Sequence, residues 1–305
     1  MHTRLVFVFI PFFLVGCSPK KEVKNEPKKY ERVVIFGVDG AGCAFKDCET
    51  PNFDRIFYNG NVNYNGIAES PTISAQNWGA MIYGVDCQTH QKTNDYIANN
   101  KHNDDALPSF MKTYSKNHPN STYYSAVNWT PTNYGLFEDM PELIKNNLSE
   151  LGLSSSATDD KVAESVITRL NESFDAITFM QFDSVDGAGH ASGNSSESYF
   201  NAIKHIDVLL GNIYDAYVAK GIANTTLFIC VSDHGHTLTG GHGGDSESEK
   251  AVTIAVNGGL NNIVKGSCEG YYTYDLASVV LHALGEESPS HYKGKVPNNL
   301  FKENY

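Results

Sequence analysis

The chain has 305 residues, 41% hydrophobic and 19% charged, which supports a sizeable core and excludes wholesale disorder. No repeat of fixed period is visible, which excludes a solenoid or propeller. The formal net charge is −12, and from Val33 onward 16 Lys and Arg face 32 Asp and Glu. That balance excludes double-stranded nucleic acid as a main partner, but not a phosphorylated small molecule, because a metal ion reverses the local charge.

Arg4 precedes an apolar run of 11 residues, 5–15 (LVFVFIPFFLV). A spanning helix needs about 20 apolar residues, so this run fits the core of a signal peptide. It ends in Leu14-Val15-Gly16-Cys17, which resembles the bacterial lipoprotein signal. The resemblance implies removal of residues 1–16 and lipid on Cys17; an ordinary secretory signal with an incidental cysteine is the alternative. Residues 17–29 are Lys-rich and broken by Pro19 and Pro27, and read as a flexible tether. The expectation is an exported bacterial lipoprotein, held to the cell-envelope membrane by its N-terminal lipid, with residues 30–305 as one catalytic domain. Cys43, Cys48, Cys87, Cys230 and Cys268 follow. Export permits disulfides, and the odd number leaves at least one thiol unpaired within the chain.

Residues 33–38 (VVIFGV) read as a buried strand, and Thr50-Pro51 as the start of a helix over 52–58. Ser74 stands at a loop-to-helix junction, with the helix running to Tyr83-Gly84. Residues 176–182 (AITFMQF), 226–231 (TLFICV) and 251–256 (AVTIAV) read as further buried strands. Apolar residues at helical spacing predict a helix over 195–218, and a last helix over 274–284 ends at Gly285. The alternation predicts an α/β fold, a mostly parallel central sheet with helices on both faces. Ligands of such sheets bind beyond the carboxyl ends of the strands.

Those ends carry Asp39, then Asp183-Ser184-Val185-Asp186-Gly187-Ala188-Gly189-His190, then Ser232-Asp233-His234-Gly235-His236, with Gly241-His242-Gly243 a few residues on. A lone Asp after a strand is usually a turn or cap residue, and a lone His a structural one. A surface has no reason to gather several of each in Gly-rich turns after three strands, and both types are zinc ligands. Ser74, at the positive end of its helix, is the candidate nucleophile; an N-cap is its ordinary role.

In this order the motifs resemble the alkaline phosphatase superfamily, in its nucleotide pyrophosphatase/phosphodiesterase-like branch. The resemblance runs from Phe36-Gly37-Val38-Asp39-Gly40 through Thr50-Pro51-Asn52 and Pro71-Thr72-Ile73-Ser74-Ala75-Gln76-Asn77 to the three Asp/His segments and Thr273-Tyr274-Asp275. It implies an alkaline phosphatase-like fold and two divalent metal ions, usually Zn2+. One would be held by Asp186, His190 and His242, the other by Asp39, Asp233 and His234, with Ser74 bound to the second as nucleophile. It also implies a phosphoseryl intermediate and gives Asn77 a phosphoryl oxygen to contact. His236 is the rival to His242; the GGHGG setting favours His242 by likeness. Gln76 stands where the branch usually has Pro, and Gln91 replaces a Gly after His90, which reads as structural.

The resemblance makes the chain a metal-dependent phosphoric ester hydrolase acting on a phosphorylated small molecule. A phosphodiesterase or nucleotide pyrophosphatase is favoured because Arg55 and Arg169, the arginines after Val33, both lie in helix-like segments and offer no clamp for a dianionic monoester. An alkaline phosphomonoesterase with the same site and a non-catalytic surface-binding lipoprotein are the alternatives. The segment 129–137 (WTPTNYGLF) is a candidate substrate-side loop.

Overall fold

A computed structural model describes Met1 and residues 29–103 and 106–303; the expected signal peptide, Cys17 and nearly all of the tether lie outside the described residues. Seven strands form one sheet: β1 (Arg32–Val38), β2 (Asn61–Ile67), β3 (Tyr123–Val127), β4 (Leu143–Asn147), β5 (Ile177–Phe182), β6 (Thr226–Val231) and β7 (Ala251–Gly258), in the spatial order β2-β7-β6-β1-β5-β3-β4. The β1, β3, β4, β5 and β6 strands run parallel, while β7 lies antiparallel to β6 and to the edge strand β2.

The helices are α1 (Pro51–Phe57), α2 (Ser74–Tyr83), α3 (Cys87–His90), α4 (Asn94–Asn99), α5 (Phe110–Ser115), α6 (Thr130–Gly135), α7 (Ser155–Arg169), α8 (Ser184–Ser192), α9 (Glu197–Ala219), α10 (Glu247–Lys250) and α11 (Leu276–Ala283). None among the described residues is long and apolar enough to cross a membrane.

The central strands are mostly apolar because both faces of the sheet are covered. Val33, Ile35, Phe179 and Ile229 pack with Trp78, Met81, Val279 and Val280 of α2 and α11. Val34, Phe36, Met180 and Phe228 pack with Val162, Ile203, Ile206 and Leu210 of α7 and α9. Sequence periodicity missed β2, β3 and β4, whose short runs mix in polar residues such as Asn63, Ser125 and Asn146. It found β7 but not its direction, because an apolar run reads the same either way.

Long-range caps set the starts of two helices, α1 and α8. Thr50 makes no side-chain cap; Asp207 of α9 instead accepts the Asn52 and Phe53 N–H groups of α1. Asp159 of α7 likewise accepts the Asp183 and Ser184 N–H groups at 3.0 Å, holding the start of α8 against the end of β5. The five cysteines of the domain are all free thiols.

His90 has the structural role expected of it. Its Nε2 is 3.0 Å from the Gln76 carbonyl and its Nδ1 accepts the Lys92 N–H at 3.0 Å, which ties α3 to α2. Burial pushes its pKa down to about 4. A depressed histidine leaves stability intact above the unfolded value and removes it as pH falls toward the folded one, by about 3 kcal/mol at most. In chelator, wild type should therefore lose more thermal stability between pH 7 and 4.5 than His90→Gln; equal slopes in a melting series would refute this.

Candidate metal and catalytic site

The carboxyl edge of the sheet gathers the expected residues. Asp39 follows β1, and its N–H donates to the Phe182 carbonyl. Beyond β5 the chain turns into α8, where Asp186 and His190 lie four residues apart on one face. Asp233 and His234 follow β6, His242 lies in the loop before α10, and Ser74 is the first residue of α2.

Two adjoining clusters result. In the first, His234 Nε2 is 3.2 Å from Ser74 Oγ, 3.4 Å from Asp39 Oδ1 and 3.3 Å from Asp233 Oδ2. In the second, His190 Nε2 is 3.1 Å from His242 Nε2 and 3.4 Å from Asp186 Oδ2. The His234 and His242 rings stack at 3.7 Å, so the clusters share a wall. The sets Asp39–Asp233–His234 and Asp186–His190–His242 each bring one ligand atom per residue within 4.8 Å of the others, and so does Asp186–His234–His236.

Hydrogen bonds orient Asp39, Asp233, His234 and His242. Trp78 Nε1–H and Gln181 Nε2–H hold Asp39 Oδ2 at 2.9 and 3.0 Å. The Gly40 and His234 N–H groups hold Asp233 Oδ1 at 3.0 and 2.9 Å. The opposite oxygens, Asp39 Oδ1 and Asp233 Oδ2, are buried without a partner. His234 Nδ1–H donates to the Gly235 carbonyl and His242 Nδ1–H to that of Thr72, which turns both Nε2 lone pairs inward.

Burial, then the neighbouring carboxylates, raises Asp39 well above the usual range, and burial does the same to Asp233. Burial and the nearby His242 push His234 down, keeping it neutral. Orphaned carboxylate oxygens beside neutral imidazole nitrogens are a donor set that fits a divalent cation.

The decisive comparison is with whole families. A profile described as type I phosphodiesterase / nucleotide pyrophosphatase matches residues 33–246, more than half of the chain and all of both clusters. The chain belongs to this family.

Among curated proteins it is similar to GPI ethanolamine phosphate transferase 2 of Aspergillus fumigatus, 23% identical over 232 residues, 73% of this chain and 29% of that protein. The phosphodiesterase-family chain thus spans less than a third of that relative's length. Among solved structures it is similar to murine ectonucleotide pyrophosphatase/phosphodiesterase 5, in an inactive form in complex with AMP, with TM-score 0.64 and 15% identity over 86% of this chain and 97% of that one. It is also similar to a 2-O GAG sulfatase, with TM-score 0.64 and 13% identity over 87% of this chain and 73% of that one. At these identities the likeness is one of fold. The family match and these likenesses give the chain an alkaline phosphatase-like α/β fold.

Asn77 is placed differently from its expected use. It is fully buried one turn into α2, where its carboxamide accepts the Glu69 N–H and the Thr273 hydroxyl and donates to the Glu69 and Ile73 carbonyls. Nothing remains to meet a phosphoryl oxygen. Asn94, at the start of α4, stands beside Ser74 instead, its Oδ1 accepting the N–H of the next residue, Ala75, at 2.9 Å. Sequence reasoning passed over Asn94, although Thr93-Asn94 after His90 carries a cap signature. It also passed over Gln181, a polar residue in an otherwise apolar strand and so a visible signal. Trp129, from the candidate substrate loop, donates its N–H to Gln181 Oε1 and immediately precedes α6, which packs on α4. Asn77→Ala should lose roughly 1–3 kcal/mol of stability through the backbone groups it strands. Asn94→Ala should melt near wild type yet lose about 10²-fold in kcat. The opposite pattern in paired melting and rate measurements would return the contact to Asn77.

Proposed function

We propose that the protein is a two-metal hydrolase of phosphodiester or pyrophosphate bonds in which Ser74 is the nucleophile. One observation carries this reading: Ser74 Oγ lies 3.2 Å from His234 Nε2, where two unpartnered buried carboxylate oxygens also converge. Asp39, Asp233 and His234 would hold one ion, and Asp186, His190 and His242 the other. Bound there, divalent cations, zinc for this oxygen and nitrogen donor set, supply the charge that lowers the hydroxyl pKa and neutralises the phosphoryl oxygens.

The chain's own residues do the rest. Ser74 Oγ stands beside the His234 nitrogen that would hold the ion, so its hydroxyl lies at the charge that would lower its pKa, and the start of α2 favours an anion there. Asn94 commits its Oδ1 to the Ala75 N–H, which leaves its Nδ2 hydrogens as donors for an equatorial phosphoryl oxygen. Ser74 Oγ, its proton lost to solvent, bonds to phosphorus as the bond to the leaving oxygen breaks and that oxygen departs as an anion; water then attacks phosphorus, the Ser74 Oγ–P bond breaks, and the proton that water gives up restores the hydroxyl.

The arginines favour a diester over a monoester. Arg55 pairs with Asp215, Arg169 with Asp175 and Arg32 with Glu31, so none of them is at the clusters. The test compares a nitrophenyl nucleotide diester with a nitrophenyl phosphate monoester, with and without Ser74. Faster diester cleavage supports the reading; a monoester preference makes the protein a phosphomonoesterase with the same machinery.

The envelope lipoprotein reading belongs to this proposal as well. The described domain begins at the amino end of β1, where the Tyr30 N–H donates to Ala283, opposite the strand ends that carry the site. Cys17→Ser should release the protein from the membrane fraction; unchanged membrane retention would sink the lipid anchor.

A further inference from the structure

We propose that His236 is a positioning residue for Asp186, holding one carboxylate oxygen so that the other faces His190. The proposal rests on the two-metal reading and assigns His236 a place outside the ligand set.

Three observations support it. His236 is fully buried, and its Nε2 lies 2.9 Å from Asp186 Oδ1. Its Nδ1 is buried with no partner. A neutral imidazole has one N–H and one lone pair, and a carboxylate only accepts, so the proton belongs on Nε2 and points at Asp186. With its proton there, His236 Nε2 serves as a donor to the carboxylate, the arrangement of a residue that orients a ligand from outside.

The ring has a built seat. A Cβ on Gly40 would come within 2.7 Å of its Nε2, and one on Gly189 within 2.4 Å of its Cδ2. The Tyr199 hydroxyl donates to the Gly40 carbonyl at 2.7 Å and Asn194 donates to the His236 carbonyl at 2.5 Å, fixing the seat from both sides.

The third observation is a pattern. Asp39 and Asp233 each have one oxygen tied by two donors and the other left toward the ligand cluster. Asp186 follows the same division if His236 is the tie: Oδ1 is held, and Oδ2 stands 3.4 Å from His190 Nε2. Partners that orient ligands outside the coordination sphere typically change metal affinity by 10–100-fold when removed.

The experiment is a competition titration of metal-stripped full-length protein with Zn2+ against a chromophoric chelator. It compares wild type, His236→Leu, His236→Gln and His190→Ala, with melting curves to select folded variants. His236→Leu should still bind two zinc equivalents at saturation, with one affinity weakened about 10–100-fold. His236→Gln, which keeps a donor, should recover much of that loss and stands as the folded variant if leucine unfolds the chain. Loss of a whole zinc equivalent in both His236 variants, as in His190→Ala, would make His236 a ligand and overturn the proposal. Affinities within twofold of wild type would overturn it too. A wild type that binds no zinc would instead sink the two-metal reading itself.

Discussion

Ser74→Ala is expected to reduce diester hydrolysis by about 10⁴-fold or more while leaving zinc content and melting temperature close to wild type. The size follows from the site's geometry. Ser74 Oγ is the hydroxyl against His234 Nε2, and Asp39 Oδ1 and Asp233 Oδ2 converge on that same nitrogen. Removing one oxygen leaves the helix start, both carboxylate ties and the Asn94 contact to Ala75 in place. The mutant should keep the fold and the ligands and lose the atom that bonds to phosphorus. Steady-state rates on zinc-loaded protein decide the matter. A loss under about tenfold with two zinc ions bound would mean that water attacks directly, because a covalent route has no such fallback.

The second large effect changes sign with the metal. Asp233→Asn should abolish most hydrolysis and most zinc-dependent stabilisation, yet raise the melting temperature of the metal-free protein. Asp233 is completely buried, and burial holds its carboxyl well above the usual range; the neighbouring Asp186 adds to this. Asp39 is raised in the same way, with Asp233 the largest charged contributor. Without a cation, these groups oppose folding through desolvation and mutual repulsion. Asparagine can still accept the Gly40 and His234 N–H groups while removing one charge, for a gain of about 1–3 kcal/mol in chelator. Zinc at about 1,000 times its dissociation constant should stabilise wild type by about 4 kcal/mol, a gain the variant should mostly lack. Calorimetry in chelator and in zinc gives both arms. A variant less stable than wild type in chelator would mean that no cation is needed to relieve these carboxylates.

Much of this site is legible in the amino-acid sequence, for a definite reason. Residues just past a buried strand must emerge at the sheet edge, so Asp39, Asp186, His190, Asp233 and His234 are placed together once their strands are recognised as parallel neighbours. His242, in a loop of glycines, was placed by likeness, and the structure puts its Nε2 beside His190. The central strands are legible for the same reason: covered on both faces, they leave few polar positions to obscure the apolar run.

What the sequence could not decide are contacts between residues far apart along the chain. The direction of β7 depends on pairing with β6, which an apolar run does not encode. Asn77 and Asn94 are both polar residues near Ser74; only the packing of α2 against Glu69 and Thr273 uses up the first, and only the placement of α4 brings the second to Ala75. Asp159 caps α8 from α7, and Trp78 and Gln181 select one oxygen of Asp39 from two other elements. The sequence by itself determined which residue types reach the edge of the sheet, because strand periodicity and burial are local properties. The tertiary structure alone decided which atom of each faces the site, because a hydrogen bond selects one lone pair among several and its partner comes from another part of the chain.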